Sequence, residues 1–370
     1  MIQAAQARWF RTHGPERGPR EPRSSSCGLG SAAGLSLLLL AACDRAPEPT
    51  SRSTRSAPLA AATQSAARPK SAAPDRSFRY PTSGRVVAIG DVHGDLQALR
   101  EALRLASATD DRDRWMGGKL VVVQTGDQLD RGDQERRIVD WLDALAVQAK
   151  EAGGALHALN GNHEIMNVAG DFRYVTPGGF AEFASIQPDG RLALELRRFP
   201  EAMRGRAAAF APGGPYARRL AKRDTVVIVG DTAFAHGGIL PAHVDYGLGR
   251  LNAEVSRWMQ GDAPAPPAAI LESESPVWTR VYGEDQPSAA TCERLKATLS
   301  ALSVRRLVVG HTVQKAGITA ACNESVYRID VGLAKHYGDN VVQVLQIDGE
   351  RVEVLRRADT KAGASVVERR

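Results

Sequence analysis

From Arg85 onward the chain alternates short apolar runs with longer stretches whose apolar residues recur at helical spacing. Val86-Val87-Ala88-Ile89, Leu120-Val121-Val122-Val123 and Ala155-Leu156-His157-Ala158-Leu159 are the first three runs. Between them lie Leu96–Ala106 and Glu135–Glu151, the second with Ile138, Trp141, Leu142 and Leu145 at a helical period. Strand–helix alternation of this kind predicts a sheet with crossover helices, an α/β (α+β) fold. Further on, Thr225–Val229 and Thr232–Ala235 are predicted to pair about a Gly230-Asp231 turn, and Arg306–Val309 is another strand. Val326–Val331, Val341–Ile347 and Val352–Leu355 read as a meander that turns at Asp348-Gly349. Residues 165–222 carry no strand pattern, and their Ala- and Arg-rich composition predicts a helical lid inserted over the sheet. The pattern defines one domain, 84–357, with a flexible tail at 358–370. There is no internal repeat.

Residues 43–83 are rich in Ala, Pro, Ser, Thr and Arg without apolar periodicity, and are read as a disordered tether. A flexible segment of about 40 residues has an r.m.s. span of roughly 35 Å. Residues 1–42 carry Arg8, Arg11, Arg17, Arg20 and Arg23 ahead of an apolar run, Gly28 to Ala42, that ends Leu40-Ala41-Ala42-Cys43. The run is about 15 residues long, too short for a spanning helix, and closes in small residues. It resembles a bacterial lipoprotein signal, which implies cleavage before Cys43, acylation of its thiol and a periplasm-facing place in the cell envelope. Asp44 resembles an inner-membrane retention signal. The formal charge of +6 is half accounted for by this leader, with five arginines against Glu16 and Glu21. The remainder is too small to argue for a nucleic-acid partner. Of four cysteines, Cys27 is lost with the leader; Cys292 and Cys322 either bridge or remain two separate buried thiols. No CxxC pair exists for a structural zinc ribbon.

The polar residues that terminate the apolar runs carry the chemistry. In an open α/β sheet the carboxyl ends of the strands are where ligands bind. Asp91 and His93 lie on one Gly-Asp-Val-His-Gly turn and offer an oxygen and an imidazole to one metal ion. Asp127 supplies a carboxylate able to bridge two cations, and Asn162, His236 and His311 complete a second site. Mixed carboxylate, amide and imidazole donors suit Mn, Fe or Zn better than Ca or Mg, with manganese the ion expected for assay. Two divalent or trivalent ions about 3.5–4 Å apart clamp a phosphoryl group and acidify bound water towards a pKa of roughly 7. Arg131, in Gly126-Asp127-Gln128-Leu129-Asp130-Arg131-Gly132, has a planar fork suited to two phosphate oxygens. His163, in Asn160-Gly161-Asn162-His163-Glu164, is placed to protonate a leaving group, with Asp130 orienting its ring.

These three motifs, in this order, resemble the calcineurin-like metallophosphoesterases of the phosphoprotein phosphatase branch. The stretch from Asn160 to Val175 is more specifically similar to the bacterial Shewanella-like protein phosphatases, as are His236-Gly-Gly-Ile, Ser275-Pro-Val-Trp-Thr-Arg280, Gly310-His-Thr-Val-Gln and Tyr327–Gly332. The resemblance covers about 84–348 and implies a β-sandwich flanked by helices. It also implies one metal on Asp91, His93 and Asp127, and the other on Asp127, Asn162, His236 and His311. Phosphate contacts would come from Arg131 and Asn162, with Arg280 or Arg173 as the second arginine. The aromatic-bearing loop of eukaryotic members is missing from the matching stretch, Ala316–Val326.

The expected activity is hydrolysis of phosphate monoesters on phosphoprotein side chains (phosphotyrosine or phosphoserine/threonine) by direct attack of metal-bound hydroxide. Phosphoanhydride cleavage of dinucleoside polyphosphates, an envelope phosphate-scavenging phosphomonoesterase, and a non-catalytic binding protein on a relic fold are the alternatives. Among unassigned residues, His157 is read as a hydrogen-bonded structural residue in a strand, and His243 and His336 as loop residues. Glu164 is read as orienting the site or capping a helix. Arg197, Arg198, Arg204 and Arg206 are read by default as a solvated helix face, the alternative being a basic surface that attracts acidic phosphopeptides.

Overall fold

Alternation along each apolar run decides which layer its side chains enter, because successive residues of a strand point to opposite faces. The computed structural model describes residues 76–82, 84–188, 190–358 and 366–369. Cys43, the leader and most of the tether lie outside the described residues. Strands β1 (Arg79–Tyr80), β5 (Val226–Val229), β6 (Thr232–Ala235), β7 (Arg306–Val309), β9 (Val326–Arg328) and β8 (Thr319–Ala321) form one sheet in that spatial order. The other runs β12 (Val366–Arg369), β11 (Arg351–Ala358), β10 (Gln343–Asp348), β2 (Val86–Ile89), β3 (Val121–Gln124) and β4 (Ala155–Ala158). Val86, Ala88, Val121 and Val123 of the second sheet meet Val227, Val229, Phe234 and Val308 of the first between the layers.

The alternate residues face outward onto helices. Val87, Ile89 and Val122 pack against Leu99 and Leu103 of α1 (Leu96–Leu105) and Ile138, Leu142 and Leu145 of α2 (Glu135–Glu151). Val226, Ile228, Leu307 and Val309 pack against Leu295, Leu299 and Leu302 of a helix spanning Ala289–Leu302. Strands buried on both faces therefore read as unbroken apolar runs. The result is a two-sheet sandwich with helices on both outer faces.

The predicted pairing of β5 with β6 occurs in antiparallel register. The predicted meander does not form. β9 lies in the first sheet, parallel to β7 and antiparallel to β8, whereas β10 and β11 make an antiparallel hairpin in the second. Crossing from one sheet to the other carries the chain through residues 329–342, which bring the Tyr337 ring against His93 and the Lys335 N–H to Asp95 Oδ2. Four residues of the predicted tail, Val366–Arg369, form an edge strand on β11.

The regular elements among the described residues of 165–222 are helices, with no strand. Phe183, Phe210, Tyr216 and Leu220 from this insertion form a further apolar core with Leu129, Val139, Leu251, Val255 and Trp258. Cys292 and Cys322 are joined by a disulfide that ties the Ala289–Leu302 helix to the β8–β9 turn. His243 lies in a helical turn, Pro241–Tyr246, rather than in a loop, and its Nδ1 accepts the Leu240 N–H at 3.0 Å.

Candidate active site

β2, β3 and β4 run parallel in one sheet, and β6 and β7 run parallel in the other. Their carboxyl ends deliver Asp91, Asp127, Asn162, His236 and His311 to one place. His93, Asp127, Asp130, Arg131 and His311 have φ of 40°, 57°, 68°, 67° and 67°. Left-handed backbone at a non-glycine residue is costly, and it persists where surrounding bonds over-determine it. Glu164 supplies several of those bonds. Its buried carboxylate accepts the backbone N–H groups of Asp127 (2.8 Å), Gln128 (2.9 Å), Leu129 (3.2 Å) and Gly161 (2.7 Å). Orienting the site and capping the helix that begins at Asn162 are thus the work of one side chain. Gly161 has no alternative, since a Cβ there would lie 2.2 Å from Asp127 Oδ1.

Second hydrogen bonds fix which ring nitrogen faces inward. His93 Nδ1 bonds to the Leu129 carbonyl (2.9 Å) and His236 Nδ1 to the Thr125 carbonyl (3.1 Å), so both donate from Nδ1 and turn an Nε2 lone pair to the site. His311 is reversed: Nε2 donates to the Trp278 carbonyl at 3.1 Å and Nδ1 faces inward. His236 Nε2 then lies 3.1 Å from His311 Nδ1, 2.8 Å from Asn162 Oδ1 and 3.2 Å from Asp127 Oδ2. All four are acceptors, and no donor separates them. The donor set of such a cluster fits a cation. His93, Asp127 and His163 form a second group of potential ligands that shares Asp127. The Arg131 Nη1–H sits on His93 Nε2 at 2.8 Å, the place a cation would take. Asp91 joins from beneath, its carboxylate accepting His311 N–H at 3.1 Å and lying 3.8 Å from His236 Nδ1.

Protonation follows this crowding. Burial, then the neighbouring cation at His163, holds His93 well below its ordinary pKa; burial and His236 do the same for His311. Neutral imidazoles are the metal-binding form. Burial opposes ionisation of Asp127, but His236 and then His163 outweigh it and hold its carboxyl well below the usual range. Asp91 is raised by burial and by Asp330 and Asp127. At His163 burial is overcome by Asp127 and Asp130, so its pKa is raised. His163 Nδ1 bonds Asp130 Oδ2 at 2.6 Å, leaving Nε2 pointing towards Asp127 Oδ2 at 3.8 Å.

Arg131 is flanked by the rings of Tyr174 (5.2 Å) and Tyr337 (5.4 Å) and donates to the Tyr337 hydroxyl. Arg280 Nη1 donates to the His311 carbonyl at 2.7 Å, beside the site, whereas Arg173 pairs with Asp171 at 2.8 Å. Two contributors were given no role from the sequence. Tyr337 brings an aromatic ring to the site from a turn well after Ala316–Val326, and Asp330 is a buried carboxylate raised by burial to about 6. Arg206, by contrast, overturns its assignment to a solvated face, being 0% exposed.

Residues 84–315 match the calcineurin-like phosphoesterase family. The chain belongs to that family, whose members require divalent metal ions, and it is a metal-dependent phosphatase. It is 41% identical over 298 residues to Shewanella-like protein phosphatase 2 of Arabidopsis thaliana, covering 73% of this chain and 76% of the relative. Shewanella-like protein phosphatase 1 of Plasmodium berghei is 27% identical, with 74% of each chain covered. The cold-active protein tyrosine phosphatase of a psychrophilic Shewanella species shares the fold, with a TM-score of 0.61 at 24% identity over 79% of this chain and 82% of that one.

Proposed function

We propose that the chain hydrolyses phosphate monoesters on phosphoprotein side chains, tethered to the cell envelope through acylated Cys43. The observation that carries the chemistry is the cluster of unopposed acceptors beside Arg131 and the Asp130–His163 pair. The name of the Arabidopsis relative, a protein phosphatase at 41% identity, supports a protein substrate. Bound divalent ions, manganese for assay, would supply Lewis-acid stabilisation of the phosphoryl group and acidify a coordinated water. Asp91, His93 and Asp127 would hold one, and Asp127, Asn162, His236 and His311 the other. Arg131 would take two non-bridging phosphate oxygens through its fork, with the Asn162 amide nearby and Arg280 steadying the His311 loop. His163 Nε2 would pass its proton to the leaving oxygen as the P–O bond breaks. Asp130, accepting from Nδ1–H, would keep the ring oriented and doubly protonated, so that Nε2 carries the proton to be given up.

With the full chain and Mn2+, a phosphotyrosine or phosphoserine peptide should release phosphate, and Asp127→Asn should abolish the release together with bound metal. Turnover of a dinucleoside tetraphosphate alone would sink the phosphoprotein reading. The anchor is tested separately by intact mass of the membrane fraction. Its mature chain should begin at acylated Cys43, and a soluble chain starting elsewhere would defeat the tether.

A further inference from the structure

The helix Glu201–Phe210 of the insertion carries Arg206 into the interior, where its guanidinium is packed against the rings of Phe183 (5.2 Å) and Phe210 (5.1 Å). Removing a guanidinium from water is expensive unless every donor finds a partner. Here Nε donates to Asn167 Oδ1 (2.8 Å), Nη1 to the Gly179 carbonyl (3.0 Å), and Nη2 to Asp130 Oδ1 (3.2 Å) and to Glu135 Oε2. Asn167 in turn donates from Nδ2 to the same Asp130 Oδ1 and to the His163 carbonyl, each at 2.9 Å. One oxygen of Asp130 is therefore committed to Arg206 and Asn167. Its other oxygen is left facing His163 Nδ1 at 2.6 Å.

We propose that Arg206 is a positioning residue for proton delivery: it fixes the Asp130 carboxylate so that Oδ2 holds the His163 ring with Nε2 towards the leaving group. The inference rests on His163 being the proton donor. It gives the insertion a part in the reaction, since the residue that locks the pair arrives from 76 positions away. A carboxylate freed from Arg206 can rotate about its side-chain torsions, and the imidazole it holds then samples orientations that miss the leaving oxygen.

The consequence depends on the leaving group. A nitrophenolate departs without a proton, whereas an alkoxide needs one. In Arg206→Met, kcat for phosphoserine or another alkyl phosphate should fall on the order of ten- to a hundredfold, part of the 10²–10⁴ that general-acid catalysis supplies, while p-nitrophenyl phosphate loses about threefold or less. Arg206→Lys, which keeps the charge but cannot reach all these acceptors together, should fall in the same order by a smaller factor, and it serves if the methionine variant does not fold. Loss of rate by an equal factor on every leaving group in whichever variant folds would overturn the proposal and leave Arg206 a structural ion pair. His163→Asn is run beside them. If it is steep across the series and the Arg206 variants are flat, the positioning role fails while the proton donor stands. If His163→Asn is itself flat, the donor assignment fails and takes the inference with it.

Discussion

Arg131 lies between two tyrosine rings, with the Tyr337 hydroxyl accepting from its Nη1, so these neighbours restrict where its fork can turn. Hydrogen bonds to a charged partner contribute about 1.5–3 kcal/mol, and Arg131→Ala should lower kcat/KM for a phosphomonoester by roughly 10- to 150-fold, mostly through KM. Tyr337→Phe keeps the ring and removes one acceptor, and a loss of about threefold to tenfold is expected. Steady-state kinetics on one substrate decide both, and an unchanged KM in Arg131→Ala would count against its phosphate role. The proximity of the six expected metal ligands was legible because each ends an apolar run, and parallel strands bring their ends together. Tyr337 and Arg206 were not legible in this way. Their partners at Arg131 and Asp130 lie 206 and 76 residues away, and no local pattern distinguishes a buried arginine on an Ala-rich helix from a solvated one.

Elements differ in how much of themselves they reveal. β2, β3 and β7 are apolar on both faces and were readable as strands; the expected helix at Glu135–Glu151 has the bounds observed. β1 is two residues long and β8 is only half-buried, so neither leaves a pattern. β9 was readable as a strand, but which sheet receives it depends on pairing with β7, a long-range choice that its own sequence does not encode. The disulfide acts at this scale, because it fastens the Ala289–Leu302 helix to the β8–β9 turn across 30 residues. Closing a loop of that length removes about 3.5 kcal/mol of unfolded-chain entropy on the chain-entropy account. Cys292→Ser should therefore lower unfolding stability in denaturant by roughly that amount or less, with phosphatase activity below the transition retained. A midpoint indifferent to the substitution or to reductant would show that the bridge carries no stability.

For the whole molecule, pH acts through groups that folding withdraws from water. His157 lies tilted against the Tyr80 ring at 4.3 Å with Nε2 lacking a partner among the described residues, and burial pushes its pKa down to about 4. His243 is also pushed to about 4, first by burial, and its Nδ1 must stay unprotonated to accept the Leu240 N–H. Both values lie below the ordinary 6.5, so between pH 6.5 and 4 the unfolded chain binds protons that the folded chain refuses. Stability is then fully present above pH 6.5 and falls as the pH drops towards 4, by at most about 1.4 kcal/mol per pH unit for each histidine. Other groups contribute to the absolute slope, but they cancel in a comparison of variant with parent. His157→Phe keeps a ring against Tyr80 and removes the titration, so its unfolding free energy should lose less than the parent's between pH 7 and pH 5. Parallel denaturation curves at the two pH values, with identical differences for parent and variant, would mean that His157 takes up its proton as readily folded as unfolded.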